Sequence, residues 1–155
     1  MKSIKIPNIL TLIISVASKT GKSAIDYSNY LCSYKTFTLE KRKFAPRSSV
    51  RVDSQFSERL AADIYKFDVD HSLNLDGNNP NTNETYEVKA TSFSNNRVRF
   101  NSEIKADHVI WIKVRQKIIE ISEIDVDIYN HLDKNGFVNI NVHKKLIGNK
   151  IIYTY

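Results

Sequence analysis

The sequence predicts one α/β domain with a mixed central β-sheet flanked by helices. Three observations support this fold class. Residues 56–67 carry apolar side chains at helical spacing, several later segments alternate between apolar and polar residues as strands do, and residues 109–114 are apolar enough for a strand buried on both faces. The 155 residues, 41% of them hydrophobic, can bury one core but are few for two domains, so residues 1–155 are predicted to form a single domain.

Two helices are predicted before residue 40. The apolar run at residues 9–14 is short and lacks a small-residue cleavage site, so it predicts a core helix rather than a signal peptide, and it is too short to span a bilayer. In residues 25–37, Tyr27, Leu31 and Tyr34 recur at helical spacing and predict a packed helical face.

A basic segment follows at residues 39–51, with five basic residues against one acid. Pro46 and the neighbouring serines predict a loop or an extended arm here. Such an arm is either a solvated loop or a contact to the DNA backbone, since Lys and Arg interleaved with Ser commonly contact phosphates. The basic residues are Lys41, Arg42, Lys43, Arg47 and Arg51.

The helix at residues 56–67 has a predicted N-cap at Asp53 or Ser54. Its core stripe contains Phe56, Leu60, Ile64 and Phe67. Glu58 lies off that stripe, in line with the small residues Ala61 and Ala62. It is therefore either a partly exposed neighbour of the stripe or a carboxylate directed at a cation.

Strands are predicted for most of the remaining chain. Residues 72–75 alternate and lead into Asp76, a polar turn covers residues 78–84, and residues 86–91 return antiparallel. Arg97 and Arg99 alternate with Val98 and Phe100, which gives a strand with a basic face. The other predicted elements are strands at residues 109–114, 117–122, 137–142 and 151–155 and a helix at residues 123–132.

The strand at residues 86–91 carries the candidate chemistry. Glu87 and Lys89 point to one face, while Tyr86, Val88 and Ala90 point to the other. Asp76, eleven positions before Glu87, can return to the same strand end. Two carboxylates and a lysine suit a hard divalent cation beside a phosphate. Asp68 and Asp70 are rival carboxylates, but Asp76 directly follows the alternating residues 72–75.

An aspartate, a turn and then Glu87-x-Lys89 on a strand resembles the PD-(D/E)XK nuclease superfamily, which includes most type II restriction endonucleases and the archaeal Holliday-junction resolvases. Leu75 stands where the motif has proline, a position that varies widely in the family. Ser57-Glu58-Arg59-Leu60 resembles the helix glutamate that many members place ahead of the central hairpin. With the basic strand and the apolar strand in matching order, the resemblance covers roughly residues 54–121.

The resemblance implies Mg²⁺-dependent hydrolysis of phosphodiester bonds in double-stranded DNA. Asp76, Glu87 and the Val88 carbonyl would hold Mg²⁺, Lys89 would orient or help deprotonate the attacking water, and Glu58 would support the site. A type II restriction endonuclease is the first expectation. A junction resolvase and a non-catalytic DNA-binding module remain alternatives.

Partners and compartment follow from composition. A formal charge of +6 favours a polyanionic partner, with Arg97, Arg99 and the basic segment as expected DNA contacts. Cutting both strands predicts a homodimer, with the helix at residues 9–14 as its interface. The lone Cys32 fits a reducing cytoplasm. Gly21-Lys22-Ser23 imitates a P-loop but has Val16 where the first glycine is needed, so no nucleotide cofactor is expected.

Overall fold

The computed structural model describes residues 18–47, 50–92 and 95–155. The helix predicted at residues 9–14 lies outside the described residues. The predicted α/β fold, a mixed central sheet flanked by helices, is confirmed. Within the described ranges, no helix is both long and apolar enough to cross a membrane.

Helix α1, Ala24–Phe44, begins with a capping box in which Ser23 and Asp26 exchange side-chain and backbone hydrogen bonds. Its buried face includes Tyr27, Leu31 and Tyr34, as predicted. The prediction of a loop or arm for residues 39–51 was wrong for its first half, because α1 continues to Phe44. Lys, Arg and Glu are good helix formers, and the basic last turn complements the helix dipole.

Helix α2, Ser54–Tyr65, matches the prediction closely. The Asp53 side chain accepts a hydrogen bond from the Phe56 N–H and caps the helix. Lys66 ends it in the left-handed conformation, with φ of 62°. Phe56 and Leu60 are buried, and Phe67 packs into the core just after the helix.

Eight strands follow among the described residues. They are β1 Asp68–Val69, β2 Gly77–Asn78, β3 Thr85–Ser92, β4 Arg97–Arg99, β5 His108–Val114, β6 Ile118–Ile124, β7 Phe137–Asn139 and β8 Ile147–Thr154. Six of them form one sheet in the order β1-β2-β3-β5-β6-β8, in which only β3 and β5 pair in parallel. Strands β4 and β7 form a separate antiparallel ribbon.

The strand predicted at residues 72–75 is absent; these residues form a turn, and pairing begins at Gly77. The Asp70 side chain accepts the Ser72 N–H at 2.9 Å, and Asn74 has φ of 56°, so the backbone curls instead of extending. Gly77 is required where it stands, because a Cβ there would clash with the Phe67 ring. β3 does return antiparallel, but it pairs with β2 at Gly77 and Asn78 instead of with the predicted strand at residues 72–75.

The C-terminal elements also differ from prediction. Glu123 and Ile124 belong to β6, and the helix predicted for residues 123–132 is a short 3₁₀ helix, Val126–His131, whose first turn is capped by Asp125. The strand predicted for residues 137–142 ends at Asn139, where the Asn139 side chain accepts the Asn141 N–H and starts a second 3₁₀ helix, Ile140–Leu146.

The sheet has a separate apolar cluster on each face. Tyr86 and Val88 of β3 pack with Ile110 and Ile112 of β5 against α1 and α2. On the opposite face, Trp111 and Val109 belong to a second cluster that includes the β4–β7 ribbon and the first 3₁₀ helix. Because side chains alternate along β3, Glu87 and Lys89 lie on this second face, beside the ribbon.

Candidate metal centre and nucleic-acid groove

The candidate site lies where the short strand β2 stops and the edge of β3 becomes open. The Asp76 N–H donates to the Tyr86 carbonyl at 2.9 Å, and the Val88 N–H donates to Asp76 Oδ2 at 2.6 Å. The Asp76 carboxylate therefore occupies the position where the next residue of a neighbouring strand would pair. This arrangement fixes Asp76 beside the Glu87–Lys89 segment, as the sequence predicts.

Glu58 reaches the same place from the first half of α2. Its residue is only 8% exposed, and its Oε2 lies 3.2 Å from Nε2 of His71. One ligand atom from each of Glu58, His71 and Asp76 lies within 4.8 Å of the others. A helix, a turn and a strand end thus bring together three side chains that could bind a cation.

The carboxylates of this centre repel one another. Burial raises the pKa of Glu58, the negative charge of Asp76 raises it further, and His71 partly offsets the effect. Burial also raises the pKa of Glu87, which Lys89 lowers and Asp76 raises. Cation binding would remove this repulsion.

Glu87 and Lys89 are partners in the structure. Glu87 Oε1 forms an ion pair with Lys89 Nζ, and Glu87 does not belong to the three-ligand group of Glu58, His71 and Asp76. The Lys89 ammonium also lies 5.3 Å from the centre of the Phe100 ring. Asp76, Glu87 and Lys89, which the sequence predicts to lie together, are thus neighbours. Within this group, Lys89 neutralises the charge of Glu87.

The rival carboxylate Asp70 faces elsewhere. Its oxygens accept hydrogen bonds from the Ser72 N–H at 2.9 Å and from Asn78 Nδ2 at 3.2 Å. The backbone hydrogen bond from Ser72 is the main reason why the pKa of Asp70 is lowered. Asp70 therefore serves the turn, and Asp76 is the aspartate that lies beside Glu58.

A groove with basic walls opens from the site. Arg51, Lys89, Arg99 and Phe137 line both of its adjoining parts, and Arg97 lines one of them. The guanidinium of Arg97 lies 4.4 Å from the centre of the Phe137 ring and that of Arg99 lies 5.8 Å from it. Phe137 thus contacts two cationic side chains of the groove, and Arg97 also forms an ion pair with Asp133 at 3.0 Å.

The other predicted DNA contacts lie away from this groove wall. Lys41, Arg42 and Lys43 occupy the last turn of α1, and Arg47 lies in the following turn. None of the four lines the groove. Lys43 forms an ion pair with Glu40 at 2.7 Å.

Sequence reasoning missed His71. The histidines show no metal-ligand spacing, and in the segment around His71 the aspartates are the more obvious candidates. The available signal was a histidine five positions before Asp76, within the same connection between α2 and β3. Its proximity to Glu58 depends on how the turn after β1 lies against α2, which no local pattern encodes.

Comparison with known proteins gives no identification. No family model matches the chain, and no curated protein or solved structure gives a significant match.

Proposed function

We propose that the chain is a Mg²⁺-dependent endonuclease that hydrolyses phosphodiester bonds of double-stranded DNA. The proposal rests mainly on one observation: Asp76 lies at the open edge of β3 close enough to Glu87 to raise its pKa, Glu87 is paired with Lys89, and Asp76 and Lys89 line a groove that also contains arginines. The carboxylates suit a cation and the arginines suit phosphates. A phosphodiester with its associated metal ion satisfies both.

The residues present fit Mg²⁺. Asp76 and Glu87 supply carboxylate oxygens. The Val88 carbonyl points to the same open edge as its N–H, which donates to Asp76. All-oxygen ligands are what Mg²⁺ prefers, and the raised pKa of Glu87 reflects a buried charge close to Asp76. When bound, Mg²⁺ stabilises the negative charge that grows on the phosphate.

Lys89 supplies the other charge at the site. Its ammonium lies beside Glu87 and lines both parts of the groove. From this position its N–H groups orient the attacking water and stabilise negative charge on the phosphate oxygens. Glu58 supports the site by adding negative charge close to Asp76.

DNA binding is assigned first to the groove. Arg51, Arg97 and Arg99 are all exposed, and the last two lie against Phe137. Guanidinium groups bind phosphate oxygens in a bidentate manner, so three of them lining one groove can hold a stretch of DNA backbone. The basic end of α1 would extend this contact to further phosphates.

A type II restriction endonuclease is the specific activity we propose. One site of this kind cuts one strand, so a double-strand break requires two copies related by two-fold symmetry on a palindromic sequence. The proposed homodimer interface, residues 9–14, lies outside the described residues. Sedimentation should show a dimer when the protein is bound to DNA, and monomers in both free and bound samples would contradict the assembly.

Incubation with long duplex DNA tests the activity. With Mg²⁺ we expect discrete fragments, and with EDTA no cleavage. A smear would indicate a nonspecific nuclease, and cleavage of four-way junctions alone would indicate a resolvase. Salt-sensitive binding without any cleavage in Mg²⁺ would contradict the enzymatic proposal and indicate a DNA-binding module.

A further inference from the structure

We propose that Glu58, His71 and Asp76 form a distinct cation site that binds a divalent first-row transition metal, such as Mn²⁺, in preference to Mg²⁺. The site shares Asp76 with the proposed Mg²⁺ position but uses a nitrogen ligand. Because this proposal concerns metal binding alone, it goes beyond the proposed nuclease activity and does not depend on that activity.

The distances suit a single ion. Ligand atoms bound to one metal at about 2.0–2.2 Å lie no more than about 4.4 Å apart. The three ligand atoms of Glu58, His71 and Asp76 all lie within 4.8 Å of one another. Small side-chain rotations therefore bring all three onto one ion, and the remaining coordination positions stay open to water.

The electrostatics favour a cation at this place. The Glu58 side chain is nine-tenths buried, and its one ion-pair partner among the described residues is His71. Among the residues that the structure describes, no Lys or Arg forms an ion pair with Asp76. Burial and the neighbouring Asp76 charge both raise the pKa of Glu58. Two carboxylates held together without an ion-paired lysine or arginine are stabilised when a metal binds.

The ligand types set the preference for a transition metal. Mg²⁺ favours oxygen and retains its waters, whereas imidazole nitrogen binds the later first-row metals more strongly. The His71 side chain is 61% exposed, so it can turn its ring onto the ion. The Val88 N–H bond to Asp76 orients that carboxylate, as hydrogen bonds to metal ligands commonly do.

Calorimetric titration of the EDTA-treated full chain with Mn²⁺ and with Mg²⁺ tests the site. We expect tighter binding of Mn²⁺ than of Mg²⁺. His71→Asn should weaken Mn²⁺ binding by at least about 10-fold, since even the loss of an outer hydrogen-bond partner costs that much, and should leave Mg²⁺ binding unchanged. His131→Asn is the matched control, because His131 Nε2 also lies 3.2 Å from a carboxylate, that of Asp127, outside the three-ligand group.

A measurement on the unaltered protein makes the test independent of variants. With one equivalent of Zn²⁺, the imidazole ¹⁵N resonances of His71 should shift while those of His131 stay in place. Wild-type Mn²⁺ binding no tighter than Mg²⁺ binding, a His71→Asn variant that binds Mn²⁺ as the wild type does, or unshifted His71 resonances would each overturn the proposal. Intact Mn²⁺ binding without DNA cleavage would contradict the proposed function alone.

Discussion

Two buried acidic residues on α2, Glu58 and Asp63, are in opposite situations. Asp63 is fully buried and accepts hydrogen bonds from the Ser18 hydroxyl at 2.8 Å, the Thr20 N–H at 3.0 Å, the Thr20 hydroxyl at 2.7 Å and the Tyr27 hydroxyl. These donors satisfy both of its oxygens. Asp63 therefore fastens the segment before α1 to α2, and its lone pairs are already in use.

Glu58 faces a second carboxylate instead of donors. Its charge partner is the exposed His71, while Asp76 raises its pKa by repulsion. Burial is similar at the two positions, but the supply of hydrogen-bond donors differs. A buried carboxylate surrounded by hydrogen-bond donors therefore stabilises the fold, whereas one placed beside another carboxylate is suited to bind a cation.

The largest expected effect is on cleavage. Asp76→Asn, Glu87→Gln and Lys89→Ala should each reduce it by about 100-fold or more, the usual cost of removing a charge-stabilising group. The fold should survive, because the apolar side of β3 is Tyr86 and Val88. Cleavage rates on duplex DNA with Mg²⁺ measure this.

Asp70→Asn is the control for these variants, because Asp70 serves the turn before β2. It should cleave at close to the wild-type rate. If Asp70→Asn abolishes cleavage while Asp76→Asn spares it, the assignment of the first carboxylate is wrong. If none of the changes affects cleavage, the nuclease proposal fails.

The next largest effect is on stability and concerns the buried carboxylate of Asp63. Asp63→Ala leaves the Ser18, Thr20 and Tyr27 donors without their acceptor, so the free energy of unfolding should fall by about 3 kcal/mol. Urea denaturation measures the loss. A change below about 0.5 kcal/mol, the level of an ordinary surface substitution, would mean that the donors find water and that Asp63 does not fasten the fold.

Glu58→Gln should change stability in the opposite direction in EDTA. A carboxylate whose pKa is raised on folding stabilises the protein below its unfolded pKa, and that contribution is lost as pH rises through the folded pKa. At neutral pH the neutral glutamine removes this cost, so the variant should be somewhat more stable than wild type. The same denaturation series measures it, and a loss as large as that of Asp63→Ala would show that Glu58 is a structural residue.

The fold could be predicted where local signals agree with tertiary contacts. The Asp53 cap and the spacing of Phe56 and Leu60 predict α2, and the apolar run of β5 predicts a buried strand. The prediction failed at residues 72–75, where alternating leucines indicate a strand but the Asp70 side chain holds the backbone in a turn. Such competition between side chain and strand pairing is decided by hydrogen bonds that periodicity does not include.

The candidate site divides in the same way. Asp76, Glu87 and Lys89 could be predicted because one hairpin carries all three, so sequence spacing determines their proximity. The sequence makes Glu58 a candidate because it lies off the core stripe of α2. His71 could not be predicted, because its contact with Glu58 depends on how a turn lies against a helix.

Salt dependence of DNA binding compares the two sets of basic residues. Arg97→Ala combined with Arg99→Ala should reduce the slope of log affinity against log salt by about 0.9 for each phosphate that is no longer bound. Lys41→Ala combined with Lys43→Ala should reduce it less, because neither lysine lines the groove. An equal or larger effect of the lysine pair would place the main DNA contact at the end of α1.

A smaller effect, on the pH dependence of stability, is expected at His108, which lies far from the proposed ligands in sequence. Burial lowers the pKa of His108, but the hydrogen bond and charge of Glu123, followed by those of Glu84, outweigh burial and raise the pKa above 6.5. The contribution of His108 to stability should be complete below pH 6.5 and be lost as pH rises through the folded pKa.

Glu123→Gln removes the main partner of His108 and should flatten this pH dependence. Urea denaturation of both proteins between pH 5 and pH 9, spanning the ordinary pKa of about 6.5, measures the difference. Identical pH profiles would show that the ion pair is too exposed to affect stability.

The most direct test of the account is the stabilisation of the folded chain by a divalent cation. A ligand at 100 times its dissociation constant adds about 2.7 kcal/mol to the free energy of unfolding. We expect added Mg²⁺ or Mn²⁺ to stabilise wild type and Asp70→Asn and to have little effect on Asp76→Asn, since Asp76 is common to both proposed positions. Equal stabilisation of all three proteins, or of none, would contradict a cation centre at Asp76.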